Sequence, residues 1–253
     1  MSTKNYLMHI AYDGRDFYGY QYQLDQRTVQ GEIEKVLSYL FKGTISTKAS
    51  GRTDAGVHAM GQVVGFRGPE IMDISRLSYV LGRFLPQDIK INEICYSNLH
   101  PRFDALGKTY IYRCSYEDNL FLRPYALIIK KKLDLGAIEE AALCLEGEHD
   151  FYNFSNRRVA EGPTRRNLYR IKIEEEDKGF TVEFTGDGFL YKMVRIIMAY
   201  LLKVGHGKID PKRTNEIILQ KDRKYTREVA PPQGLYLEKV FYDKKELKKH
   251  LLG

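Results

Sequence analysis

The stretch Gly51-Arg52-Thr53-Asp54-Ala55-Gly56-Val57-His58-Ala59 places two glycines, an arginine, a carboxylate and a histidine within nine residues. The apolar run Val63-Val64-Gly65-Phe66 follows almost at once. Such a segment reads as a turn feeding a strand, not as the interior of an element. Gly51 and Gly56 tolerate backbone angles that a β-carbon forbids. Thr53 and Asp54 favour turns because short polar side chains bond to nearby backbone groups. Arg52, two residues before Asp54, is within reach of a carboxylate at the turn tip. A neighbouring guanidinium favours the ionised carboxylate, and an ionised Asp on a rigid loop is what a nucleophile or general base requires. The simpler reading of the same residues is an Asx-turn carrying a surface ion pair.

The flanking residues read as strands and helices in turn. Residues 6–12 form a strand with Tyr6, Met8, Ile10 and Tyr12 on one face and His9 on the other. Asp13-Gly14 ends it, and 17–23 is an aromatic loop. Thr28 caps a helix whose apolar stripe is Val29, Ile33, Val36, Leu37 and Leu40. A strand at 44–50 enters the Asp54 turn and 62–67 is the return strand. A helix at 73–85 is stopped by Pro86, and 89–96 is another strand. This order suits helices packed on one face of a mainly antiparallel sheet, an α+β architecture.

The second half follows a joint at 100–105. Alternation over 108–113 puts Lys108, Tyr110 and Tyr112 on one strand face and Thr109, Ile111 and Arg113 on the other. Residues 125–132 read as a strand, 134–146 as a helix closed by Gly147, and 148–156 as a loop. Arg157, Arg158, Arg165 and Arg166 cluster around Gly162-Pro163, and phosphate contact and a solvated face are equally good readings of them. Residues 170–176 and 179–185 pair as strands. The segment 186–195 opens a helix with Phe189, Leu190, Met193, Val194, Ile197, Leu201 and Leu202 on its apolar face. Arg195 falls among them, and a buried guanidinium needs a partner. A helix at 210–220, a strand ending near Leu237 and a basic tail at 244–249 complete the chain. No role is assigned to the tail.

Composition narrows the partners. The net charge of +7 and pI of about 9.1 suit a polyanion, and 19 Tyr and 12 Phe supply stacking surface among the cations. Most of those rings are ordinary core and strand residues. The three cysteines, Cys95, Cys114 and Cys144, are odd in number and far apart. They read as reduced thiols of a cytoplasmic protein, not as a disulfide set or a metal site. No signal segment or membrane-spanning run is expected.

The run 51–58 resembles the signature of the tRNA pseudouridine synthase A family. The resemblance extends over 6–242 in several ordered blocks: Lys108-Thr109-Tyr110-Ile111-Tyr112, Asp150-Phe151, Phe189-Leu190 through Met193-Val194-Arg195, and Ala230 through Gly234-Leu235-Tyr236-Leu237. Tyr20 stands where that family commonly has Trp, and Pro101 where it has Ala. The resemblance implies the pseudouridine synthase fold: two similar α/β-sandwich halves with mainly antiparallel sheets side by side, helices on one face and a catalytic cleft between them. The domains implied are 1–103, carrying the Asp54 loop, and 104–253, carrying Tyr110 and Arg195.

It further implies an isomerase that turns uridine into pseudouridine in the tRNA anticodon stem-loop, at positions 38, 39 and 40. Asp54 is then the catalytic nucleophile. Arg52 contacts RNA and helps flip the target base, Tyr110 binds that base and Arg195 pairs with Asp54. His58 and Gln62 are further substrate-binding candidates, and Arg157, Arg158, Arg165 and Arg166 are weaker RNA contacts. No metal, nucleotide or other cofactor is implied, and tRNA and a second copy of the chain are the partners. The same chemistry on another tRNA site or on rRNA, a non-catalytic RNA-binding protein, and a nucleoside hydrolase are the alternatives. The last would need a second catalytic carboxylate, and Asp13, Asp104 and Asp187 all read as turn formers.

Overall fold

A computed structural model of the chain describes residues 2–156, 163–220 and 223–253. The architecture is α+β, with two compact units. One comprises the residues up to Leu106 together with Tyr236–Tyr242; the other comprises Gly107–Leu235 with Asp243–Gly253.

In the first unit the elements are β1 (Thr3–Tyr12), α1 (Val29–Phe41), β2 (Thr47–Ala49), β3 (His58–Pro69), α2 (Ile74–Phe84) and β4 (Ile89–Tyr96). β1 lies between β3 and β4, antiparallel to both, with Met8 opposite Val64 on one side and Ile94 on the other. Tyr6, Met8, Ile10 and Tyr12 are buried as expected of one face of β1. On the other face His9 and Ala11 are half-buried while Leu7 is buried, so the alternation holds only from Met8 onward. The Tyr6 ring stacks on Phe66 at 4.6 Å, and Phe41 at the end of α1 meets both rings edge-on. Thr28 caps α1 by accepting from Gly31 N, and Asp73 caps α2 by accepting from Arg76 N. A late strand, β10 (Leu235–Phe241), joins this unit by running parallel to β3, with Tyr236 opposite His58. β3 is longer than the expected 62–67 because its first residues pair with Tyr12 and with β10.

The second unit contains β5 (Gly107–Ser115), β6 (Leu127–Ile128), α3 (Leu135–Leu145), β7 (Gly147–Asp150), β8 (Arg165–Glu176), β9 (Gly179–Gly186), α4 (Met193–Gly205), α5 (Thr214–Leu219) and α6 (Lys244–Leu252). β5, β9, β8 and β7 pair antiparallel in that order, and β6 runs parallel beside β5. Phe180, Val182 and Phe184 of β9 are fully buried, as are Ile196, Ile197, Met198, Tyr200 and Leu201 of α4. Among the described residues no helix is long and apolar enough to cross a membrane.

Several boundaries differ from expectation, each for a local reason. The strand expected at 125–132 shrinks to Leu127–Ile128, because turns running through Tyr125 and Ala126 consume its start. The loop expected at 148–156 contains β7 and a 3-10 turn, Phe151–Phe154, capped by Asp150. The helix carrying Arg195 begins at Met193, because Lys192 sits at φ 60° and cannot continue a right-handed helix backwards. The helix expected at 210–220 is split into a 3-10 turn, Pro211–Arg213, and α5. The basic tail is a helix, α6, capped by Asp243 accepting from Lys245 N and Glu246 N.

Candidate active site

Asp54 opens a tight turn. Val57 N donates to Asp54 O at 3.2 Å, and Gly56, the third residue of the turn, has φ +75°. That is the pattern of a type II turn, which requires positive φ at its third position and so favours glycine there. The turn rests on the segment after β1. Tyr20 N donates to Thr53 O at 3.1 Å and Gly56 N to Phe17 O at 3.3 Å. Gly19, at φ +89°, lies so close beneath that a Cβ there would be 2.6 Å from Thr53 O. A Cβ on Gly14 would stand 2.0 Å from Val57 O. Two glycines thus let one backbone lie directly against another.

A buried polar network holds the loop from inside. Thr53 Oγ1 and the Tyr12 hydroxyl are 2.8 Å apart. Gln62 is fully buried. Its Oε1 accepts from Ser50 Oγ at 2.7 Å and from Val63 N at 3.2 Å, and its Nε2 donates to Gly51 O at 2.8 Å. Burial pushes the Tyr12 phenol up to about 12, so it stays a neutral hydrogen-bonding group. Gln62, expected among the substrate contacts, has its amide engaged within the protein and braces the loop. Gln62→Leu leaves Ser50 Oγ and Gly51 O without these partners. It is expected to cost about 2 kcal/mol in a denaturant titration, with kcat falling more than KM rises. Unchanged stability would contradict the bracing role.

His58 is also buried, stacked on Tyr236 at 4.6 Å. Gly14 N donates to its Nδ1 at 3.1 Å, which makes that nitrogen an acceptor. Asp13 Oδ1 lies 3.3 Å from the same nitrogen, and Asp13 is engaged with Arg15 at 2.8 Å. Asp54 itself is half-buried and Arg52 exposed. The expected Arg52–Asp54 ion pair is not made: Arg52 has no ion-pair partner among the described residues. Its side chain projects to solvent from the residue before Thr53, the one tied to Tyr12.

In the second unit Tyr110 is buried on β5, edge-on to Phe189 with ring centroids 5.0 Å apart. Tyr112, two residues on, is fully buried and its hydroxyl donates to Pro231 O at 2.7 Å. Arg195 lies in the first turn of α4, half-buried. Its Nε donates to Ala230 O at 2.7 Å, and Ala230 N donates back to Arg195 O at 3.0 Å. The Arg195 charge also bears on the Tyr112 phenol, whose pKa is raised by burial and partly offset by the arginine. Arg165 and Arg166 are successive residues of β8. Arg165 pairs with Glu148 of β7 at 2.9 Å, and Arg166 donates to Pro163 O and Arg165 O. Arg157 and Arg158 lie outside the described residues.

Sequence reasoning overlooked Gly14, Gly19, Tyr12 and Ser50. Asp13-Gly14 was the available signal: a turn pair just after a strand that pairs with the strand leaving the signature. No three His, Cys, Asp or Glu side chains among the described residues are grouped to hold a metal ion.

The Asp54 carboxylate is thus half-buried on a braced loop of an α+β scaffold. A sequence model of the tRNA pseudouridine synthase family matches residues 8–104 and 141–243. The tRNA pseudouridine synthase A of Lactobacillus helveticus is 42% identical over 249 residues, 95% of each chain. That of Listeria monocytogenes is 42% identical over 243 residues, 92% of this chain and 97% of its own. The Thermotoga neapolitana protein is 41% identical over 239 residues, again 92% and 97%. The chain therefore belongs to the tRNA pseudouridine synthase family, which is a family of isomerases.

Proposed function

We propose that this protein isomerises uridine to pseudouridine at positions 38, 39 and 40 of the tRNA anticodon stem-loop, with Asp54 as nucleophile. The bond from ribose C1′ to uracil N1 breaks, the base turns, and C1′ bonds to C5. C5 loses its proton and N1 gains one, so nothing is oxidised and no group is carried in. Cleaving a glycosidic bond develops positive charge on the sugar, which a close carboxylate stabilises or traps. Attack at C1′, attack at C6 and formation of a glycal all need that carboxylate against the same nucleotide. The target uridine leaves its stack to reach Asp54, and Arg52 fills the vacated space. Tyr110 covers the base. The unit that carries the Asp54 loop, residues up to Leu106 with Tyr236–Tyr242 rather than the expected 1–103, supplies the nucleophile. The unit of Gly107–Leu235 with Asp243–Gly253 supplies Tyr110 and Arg195. The protein acts as a homodimer in the cytoplasm, as the family resemblance implies.

The observation that carries this reading is the Asp54 loop. Its carboxylate sits on a turn fixed by Gly56 and braced by Tyr12 and Gln62, in a chain about 40% identical to named synthases over most of its length. Carbodiimide mapping of tRNA treated with the protein tests the positions. Stops at 38, 39 and 40 are expected, and stops only elsewhere would reassign the substrate site.

Arg195 is proposed to hold Asp54 ionised and aimed. Its Nε is already committed to Ala230 O, so a second contact must come from the rest of the planar fork. Lysine offers one point charge and no fork. Arg195→Lys is expected to lower kcat/KM by about 10- to 100-fold, the loss of one charge-assisted hydrogen bond. A near-normal rate would remove Arg195 from the site.

A further inference from the structure

The outer faces of α1 and α2 carry a basic, aromatic surface to which the proposed isomerisation assigns no step. On α1, Lys35 and Tyr39 follow at i and i+4, opposite the buried Ile33 and Leu37, and Lys42 is the exposed residue that caps the helix C-terminus. On α2, Arg76, Tyr79 and Arg83 follow at i, i+3 and i+7, opposite Leu77 and Leu81. The two faces meet where Tyr39 tilts against Phe84, with ring centroids 5.6 Å apart. Tyr39, Tyr79 and Phe84 are 68%, 69% and 51% exposed.

The four cations of this face lack acidic neighbours. Lys35, Lys42, Arg76 and Arg83 make no ion pair among the described residues. Among the described residues some exposed cations elsewhere are paired, as in Arg123–Asp118, Arg165–Glu148 and Lys178–Glu117, and others such as Lys48 and Lys90 are not. What sets this face apart is that its unpaired cations alternate with exposed rings. The acids on these helices serve other groups. Glu32 holds Arg27 at 3.2 Å, Glu34 accepts from Thr47 N at 2.6 Å and Asp73 caps α2. Unmatched cations call for a polyanion, and exposed rings between them call for planar faces to stack on. Unpaired RNA supplies both at the spacing of a nucleotide. An acidic protein would meet the charges. RNA fits better because each tyrosine is flanked by cations, Tyr39 by Lys35 and Lys42, and Tyr79 by Arg76 and Arg83.

We propose that the outer face of α1 and α2 is a second RNA-binding surface, holding phosphates and unstacked bases of the substrate away from the target uridine. This rests on RNA being the substrate. α1 starts beside the catalytic loop, where Gln30 N donates to Tyr20 O and Tyr20 N to Thr53 O. At about 1.5 Å per residue, Tyr39 lies roughly 14 Å further along the helix. One RNA can span that distance, whereas one nucleotide cannot.

The test uses the full chain with two double variants, Arg76→Glu with Arg83→Glu and Tyr39→Ala with Tyr79→Ala. Fluorescence anisotropy reads tRNA affinity over a salt series, and tritium release from C5-labelled tRNA reads turnover. The aromatic pair is expected to weaken binding by about 10-fold. The charge pair is expected to weaken it too and to lower the slope of log Kd against log salt by about 1.5. Both variants keep the wild-type thermal midpoint and the wild-type rate at saturating tRNA. Unchanged affinity and slope in both variants, with a wild type that binds tRNA, would overturn the proposal. An altered sedimenting mass with RNA affinity unchanged would give the face to a second copy of the chain and overturn it equally. A wild type that neither binds nor modifies tRNA would instead defeat the RNA-substrate reading beneath it.

Discussion

Asp54→Ala is expected to lower pseudouridine formation by at least about 10⁴-fold, the scale of losing a nucleophile, while tRNA affinity stays close to wild type. The structure explains why the two effects separate. The turn is held by Val57 N on Asp54 O, Gly56 N on Phe17 O and Tyr20 N on Thr53 O. Each of these is a backbone bond that alanine preserves. The brace beneath runs through Thr53, Tyr12 and Gln62. Removing the carboxylate is therefore expected to abolish turnover while these backbone bonds keep the loop in place. Nucleoside analysis of treated tRNA and filter binding of the same preparation check the pair of outcomes. Substantial product from the purified variant would end the nucleophile assignment. Lost binding with a lost fold would mean that the carboxylate is structural.

Gly14→Ala is expected to be the most damaging small change outside the signature. The new methyl would stand 2.0 Å from Val57 O and 2.4 Å from Val57 C. Both are backbone atoms of the Asp54 turn, so no side chain can swing away to make room. The Gly14 N–H that donates to His58 Nδ1 would move with it. Overpacking of this kind costs about 3 kcal/mol, and the displaced turn carries Asp54 with it. The urea midpoint and turnover are both expected to fall. Gly82→Ala in α2 is the matched control, because a Cβ there meets nothing within 4 Å. In a helix that change is expected to be neutral or to stabilise by about 0.5 kcal/mol. A Gly14 variant that behaves like the Gly82 variant would show that the close approach is unimportant.

What the sequence revealed and what it hid divide along a physical line. Features carried by adjacent residues were legible. Thr28, Asp73 and Asp134 cap helices where an N-cap residue precedes an apolar stripe, and the 89–96 strand is where Pro86 leaves it room to begin. Features that depend on residues distant in the chain were not. Gly14 and Gly19 press on a turn some 40 residues later, and the Asp13-Gly14 turn pair alone hints at it. Gln62 carries the polar amide expected of a substrate contact, yet strand pairing turns it inward to Ser50 and Gly51. Arg52 and Asp54 are close in sequence, but the turn leaves the guanidinium in solvent without an acid. The basic tail carried no readable role because the contacts that dock it, His250 with Thr109 and Thr185, join three distant segments.

The measurement that bears most directly on the central claim is tritium release from tRNA labelled at uracil C5, with the wild type and Asp54→Ala side by side. Bond formation at C5 expels the label, so release reports the isomerisation and not binding. The account predicts release by the wild type and none above background by the variant. Equal release by both proteins, or none by either from tRNA that the wild type binds, would contradict it.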